Sequence, residues 1–146
     1  MSTAKALQIG ATAYDRKFDP GQRSVLSSTW GGGNRIDMAV GTRVIEVIKR
    51  DKLLDNATKM GKILRKGLSE LVGKKGIVDV RGLGLMVGVE FDTTLRRDKK
   101  LTELFKHGLL TLGAGQKSMR IIPPLIITKD QIHEGLEIMQ KVLMKN

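Results

Sequence analysis

The 146 residues carry 26 lysines and arginines against 15 aspartates and glutamates, a net charge of +11, with 40% hydrophobic residues and no cysteine. That is the length of one ordinary domain with enough apolar material for a core. Without cysteine there can be no disulfide, thiolate metal ligand or cysteine nucleophile. No long apolar span or charged-then-apolar leader is present, so the expectation is a soluble, cytoplasmic protein with no membrane contact and no metal.

So basic a chain raises the question of nucleic acid, where neutralising phosphates dominates binding. Composition argues against it: five aromatic residues give no stacking platform, and no helix carries a compact basic face with base-reading amides beside it. The cations instead fall on helix faces, as at Lys59, Lys62, Arg65 and Lys66, or in expected turns, Lys74-Lys75 and Arg96-Arg97. A solvated surface accounts for them, an acidic partner being the alternative.

In chain order, residues 1–33 have no sustained period and include the turn signal Asp19-Pro20-Gly21. They close on Ser27-Ser28-Thr29-Trp30-Gly31-Gly32-Gly33-Asn34. Hydroxyls, glycines and a following helix N-terminus are the parts of an anion cradle. The same stretch also reads as a capping loop with Asn34 as N-cap. Ile36, Val40, Val44, Val47 and Ile48 then fall at helical spacing, ending on Lys49-Arg50. A second helical stripe runs Leu53, Ala57, Met60, Leu64, Leu68, Leu71, with Asp51 as a cap and Gly73 as a stop.

From Ile77 the pattern predicts strands at 77–80 and 85–91, joined through Arg81-Gly82-Leu83-Gly84. Glycines 82, 84 and 88 give GxGxxxG followed by strand, not the GxGxxG that opens a helix in dinucleotide sites, so they imply close packing or a bulge. A helix over 98–107 stopped by Gly108, strands at 109–112 and 119–122 flanking the turn Gly113-Ala114-Gly115, and Pro123-Pro124 come next. Thr128 with Gln131 matches a capping box before a final stripe of Ile132, Leu136, Met139 and Leu143. The predicted fold is α+β, helices packed on a small, mostly antiparallel sheet.

Four stretches in order carry a resemblance: Lys5 with Gln8, Ser28-Thr29-Trp30-Gly31-Gly32, Val80-Arg81-Gly82-Leu83-Gly84-Leu85-Met86, and Met119-Arg120-Ile121-Ile122-Pro123-Pro124-Leu125. Together they resemble the C-terminal part of the class III, pyridoxal-phosphate-dependent aminotransferases. Asn34 and Asp37-Met38 after the glycines make the branch acting on the terminal amine of lysine the most similar. The resemblance implies the small C-terminal domain of a fold type I enzyme over residues 34–146. Residues 1–33 would then be a remnant of the large cofactor-binding domain and the connecting loop.

The resemblance further implies that Lys5 is the catalytic lysine, an amine suited to bond the cofactor aldehyde and then move a proton. Thr29 and Ser28 would bind the phosphate of the cofactor held by the neighbouring subunit of a homodimer, with Gln8 near the cofactor. Arg120 would grip the substrate α-carboxylate, a task suited to a planar two-toothed donor. The substrates implied are an amino acid with a terminal amine and a 2-oxo acid, 2-oxoglutarate; donors such as 4-aminobutyrate or ornithine, or a non-catalytic basic binding module, are the rival expectations. Three glycines stand at 31–33 where close relatives have two, and only four residues precede Lys5. The family's aspartate for the pyridine nitrogen lies before its lysine, so the isolated chain is expected to be inactive.

Overall fold

The protein is described here by a computed structural model covering residues 2–3, 11–12, 15–19, 21 and 34–145. The chain divides into two compact units, Met1–Asp51 and Lys52–Asn146. In the first, β1 (Ser2–Thr3) pairs antiparallel with β2 (Ala11–Thr12). A 3-10 turn over Arg16–Phe18 is capped by the Asp15 side chain, which accepts from the Lys17 amide. The Gly21 amide donates to Asp19 Oδ1 at 2.9 Å, and Gly21 takes φ +65°.

The helix α1 (Arg35–Arg50) starts where its cap dictates, with Asn34 Oδ1 accepting from the Ile36 amide at 3.0 Å. Its cationic end closes on a two-toothed pair, Arg50 to Asp51 at 2.7 and 2.8 Å. That pairing overturns the expectation that Asp51 caps the next helix. Instead α2 (Leu53–Ser69) opens from Lys52 in the left-handed region, φ 50°, with no side-chain cap. The apolar stripe of α1 is not part of the buried cluster: Ile36 is 72% exposed and Val40 is exposed, while Val44, Val47 and Ile48 are half-buried.

In the second unit, β3 (Ile77–Leu83), β4 (Met86–Phe91), β5 (Leu112–Ala114) and β6 (Ser118–Ile121) form one antiparallel sheet in the order β3-β4-β6-β5. The remaining helices are α3 (Thr94–Lys106) and α4 (Lys129–Leu143). Strand alternation sends Val87, Val89 and Phe91 of β4 and Met119 and Ile121 of β6 to one face. There they meet the buried stripes of the helices, Leu64 and Leu68 of α2, Leu104 of α3 and Ile132, Met139 and Leu143 of α4. Each of these side chains contributes on the order of 1.5–3 kcal/mol by leaving water. The α+β fold predicted from the sequence is the one observed.

The glycines of the β3–β4 connection have separate reasons. Gly84 (φ +53°) turns the chain onto α2, where a β-carbon on Gly61 would lie 1.9 Å from the Gly84 carbonyl oxygen. Gly82 has φ +154°, and its own β-carbon would run into the Met86 carbonyl. Gly88 has no such constraint; its β-carbon would find only ordinary contacts at 3.9 Å and beyond.

Several boundaries differ from expectation; β3 runs on through Leu83, so Arg81 lies in a strand and not in the connecting turn. The α2 helix ends at Ser69, and Gly73 (φ +82°) serves the turn that follows, its amide donating to the Ile77 carbonyl at 2.8 Å. Helix α3 begins at Thr94 because Thr93 Oγ1 caps it, accepting from the Arg96 amide at 3.3 Å. Arg96 and Arg97 therefore sit in a helix, not a turn, and Arg97 is only 9% exposed. Its Nη1 donates to the Ser118 carbonyl at 3.1 Å; its Nε lies 2.6 Å from Asp98 Oδ1, an ion pair not aligned as a hydrogen bond. Leu109 is tied to the end of α3, its amide donating a hydrogen bond to the Leu104 carbonyl at 3.0 Å, and β5 runs 112–114 with the turn at 115–117. The capping box of α4 is present with both bonds, Gln131 amide to Thr128 Oγ1 and Thr128 amide to Gln131 Oε1.

Candidate functional site on the outer face of the sheet

Because β4 and β6 send their apolar residues inward, the alternate positions Gly88, Glu90, Ser118 and Arg120 share the opposite face. Strand register arranges this face in two rows across the sheet. One is Arg81, Gly88, Arg120, Leu112; the next is Asp79, Glu90, Ser118, Ala114. The backbone of Arg120 is paired on both sides, with Gly88 and with Leu112, while its side chain is exposed. Among the described residues the Arg120 guanidinium makes no hydrogen bond or ion pair.

Its neighbour is the reverse case. Arg81 Nη1 donates to Asp79 Oδ2 at 2.8 Å, and Nη2 donates to Glu90 Oε2 at 2.9 Å and Ser118 Oγ at 3.0 Å. The Ser118 hydroxyl in turn donates to Glu90 Oε2. That hydroxyl first and Arg81 second hold the Glu90 carboxyl below the ordinary carboxylate range. Asp79 first and Glu90 second raise the Arg81 guanidinium above its usual value. Among the described residues the face therefore presents one arginine paired to three side chains and one without a partner.

The chain after Arg120 is anchored to α2, since Asn56 Nδ2 donates to the carbonyls of Leu125 at 2.7 Å and Ile127 at 3.1 Å. This fixes the Pro123-Pro124 exit beyond β6. Chemically, a two-toothed cation on a rigid central strand can take a carboxylate. Of the sequence-predicted site residues only Arg120 lies among those described. Lys5, Gln8, Ser28 and Thr29 lie outside them, as does the stretch 27–33 read as an anion cradle. Sequence reasoning missed the Arg81–Asp79–Glu90–Ser118 cluster; the signal was there in strand alternation, but Arg81 was placed in a turn.

The family model for aminotransferase class-III matches residues 4–143. The chain belongs to the class-III aminotransferase family. Over 117 residues it is 42% identical to the L-lysine-epsilon aminotransferase of Amycolatopsis lactamdurans, covering 78% of this chain and 26% of that protein. It is 39% identical over 127 residues to the acetylornithine aminotransferase of Caldanaerobacter subterraneus, covering 86% and 31%. Among solved structures, the lysine aminotransferase from M. tuberculosis superposes with a TM-score of 0.73 at 34% identity, over 82% of this chain and 28% of that one. This class-III chain thus spans roughly a quarter to a third of the length of these relatives, at 26%, 31% and 28%. Its sheet and helices are those of the C-terminal domain of fold type I enzymes.

Proposed function

We propose that the chain supplies the small C-terminal domain and the lysine-to-threonine segment of a pyridoxal-phosphate-dependent ω-aminotransferase that moves an amino group from L-lysine or a similar terminal amine to 2-oxoglutarate. The observation that supports it is the free Arg120 guanidinium on the central strand β6, in a chain matched to the family over residues 4–143. In this reading Arg120 grips the α-carboxylate of 2-oxoglutarate, which lies next to the oxo carbon, and so holds that carbon at the reacting centre in the acceptor half of a ping-pong cycle. Lys5 would carry the cofactor through its amine and afterwards hold the proton in transit. Ser28 and Thr29 would donate to the cofactor phosphate of the neighbouring subunit of a homodimer, with Gln8 beside the cofactor. Bound pyridoxal phosphate would supply the electron sink for the substrate carbon. Residues 1–33 belong in this proposal to the cofactor-binding side, residues 34–146 to the small domain, and the assembled enzyme to the cytoplasm.

Lysine as donor is supported by the 42% relative, acetylornithine by the 39% relative. The two separate by assaying both amines with 2-oxoglutarate. The purified chain is expected to turn over neither. Joined to the remaining part of a class-III enzyme it should use lysine, and Arg120→Ala should raise the KM for 2-oxoglutarate about tenfold or more, the loss of a charged hydrogen-bonded pair. Turnover by the isolated chain, or an unchanged KM in Arg120→Ala, would refute the proposal.

A further inference from the structure

On the outer sheet face, Glu90 lies directly opposite Ser118 and diagonal to two arginines, Arg81 on one side and Arg120 on the other. Diagonal positions across antiparallel strands are about 7–8 Å apart, within reach of long side chains. Glu90 is thus positioned to serve either guanidinium, yet it engages only Arg81, at 2.9 Å. The Ser118 hydroxyl donates to the same carboxylate oxygen. Arg81 in turn is fixed from its far side by Asp79 at 2.8 Å. Gly88 separates the two arginines along their row and brings no side chain between them, although a β-carbon would meet only ordinary contacts there.

We propose that Arg81 is a positioning residue: by holding the Glu90 carboxylate on the β3 side of the face, it keeps the Arg120 guanidinium free for a substrate carboxylate. This rests on the carboxylate role given to Arg120 above. The reason is competition. A carboxylate tethered on the adjacent strand acts at high effective concentration, so a released Glu90 would occupy Arg120 ahead of a free ligand. An exposed ion pair changes an equilibrium by a factor of up to about five, which sets the expected weakening at about two- to fivefold. Asp79 cannot take over the task, since removing Arg81 removes the cation it shares with Glu90. Lys117, which also acts on Glu90 through its charge, sits in the β5–β6 turn and donates no hydrogen bond to it.

The test is the arginine Nε–Hε spectrum of the 146-residue chain labelled with nitrogen-15, with Arg120 assigned through Arg120→Lys. In the parent chain the Arg120 signal should exchange rapidly with water and shift on titration with 2-oxoglutarate at constant ionic strength. In Arg81→Gln it should shift and its exchange should slow before any ligand is added, and the apparent Kd for 2-oxoglutarate should rise about two- to fivefold. Adding Glu90→Gln to Arg81→Gln should restore both the signal and the Kd, and Glu90→Gln alone should resemble the parent. A merely structural role for Arg81 would leave the double variant no better than the single one. Should Arg81→Gln lose its fold, Arg81→Lys is the second variant: retaining the charge, it should keep Arg120 unpaired, and a paired Arg120 there would count against the proposal. An unchanged Arg120 signal in Arg81→Gln, or failure of Glu90→Gln to restore it, overturns the proposal. No response of Arg120 to 2-oxoglutarate in the parent chain would instead refute the carboxylate role of Arg120, while the ligand-free spectra still decide whether Arg81 holds Glu90.

Discussion

Replacing Gly61 by alanine tests the closest approach in the fold. In an exposed helix interior this change should stabilise by about 1 kcal/mol, because glycine loses the most backbone freedom on folding. Here the new β-carbon would sit 1.9 Å from the Gly84 carbonyl oxygen and 2.2 Å from its carbon, both backbone atoms. Gly84 itself is held by its left-handed φ of +53° between β3 and β4. Neither α2 nor the turn can yield by rotating a side chain, so the cost falls at the upper end of overpacking, about 3 kcal/mol or more before the propensity gain. A net loss of about 2 kcal/mol corresponds to a fall in Tm of roughly 8–16 °C for a unit of this size. Gly135→Ala in α4 is the control, since its β-carbon would touch only Leu109 Cδ1 at 3.7 Å. It should leave Tm unchanged or raise it. Calorimetry of the two variants reads the difference, and a Gly61→Ala protein as stable as Gly135→Ala would refute the close approach.

The buried Lys100, 3% exposed, donates to Glu103 Oε2 at 2.8 Å and to the carbonyls of Val142 at 2.9 Å and Lys145 at 3.0 Å, closing the C-terminal end of α4. Lys100→Met should cost about 2–4 kcal/mol in urea unfolding, since carbonyls at the helix end lose their donor. Lys100, as the first cause, holds the Glu103 carboxyl below its ordinary value of 4.5. The unfolded chain therefore binds the extra proton first as pH drops, so this stabilisation is complete above about pH 4.5 and is lost as pH falls through the lower folded value. Urea titrations between pH 6 and 3 should show a shallower loss in Glu103→Gln than in the parent chain, and equal slopes would contradict the pairing.

The helices were legible because periodicity and capping chemistry are local: Asn34 before α1 and Thr128 with Gln131 before α4 each act within one turn. Strand β4 was legible for a similar reason, its valines and phenylalanine alternating with Gly88 and Glu90. Some misplaced features, the caps at Asp51 and Thr93, are local choices between competing partners; others depend on partners far along the chain. Nothing near Arg97 announces that the Ser118 carbonyl will receive it, and the default for arginine is solvent. The role of Gly84 becomes visible only beside Gly61. On the outer face, Arg120 was picked out by its surrounding motif. Arg81 is hidden because the glycines after it read as a turn, and two of its three partners, Glu90 and Ser118, come from other strands.

Lys5 is proposed above as the residue that bonds the cofactor of a pyridoxal-phosphate centre. The most direct test of that role is reductive trapping with borohydride and peptide mapping of the chain assembled with the remainder of a class-III enzyme. A phosphopyridoxyl mass is expected on the peptide carrying Lys5, lost in Lys5→Ala. The same mass on another lysine, with Lys5 unmodified, would contradict it.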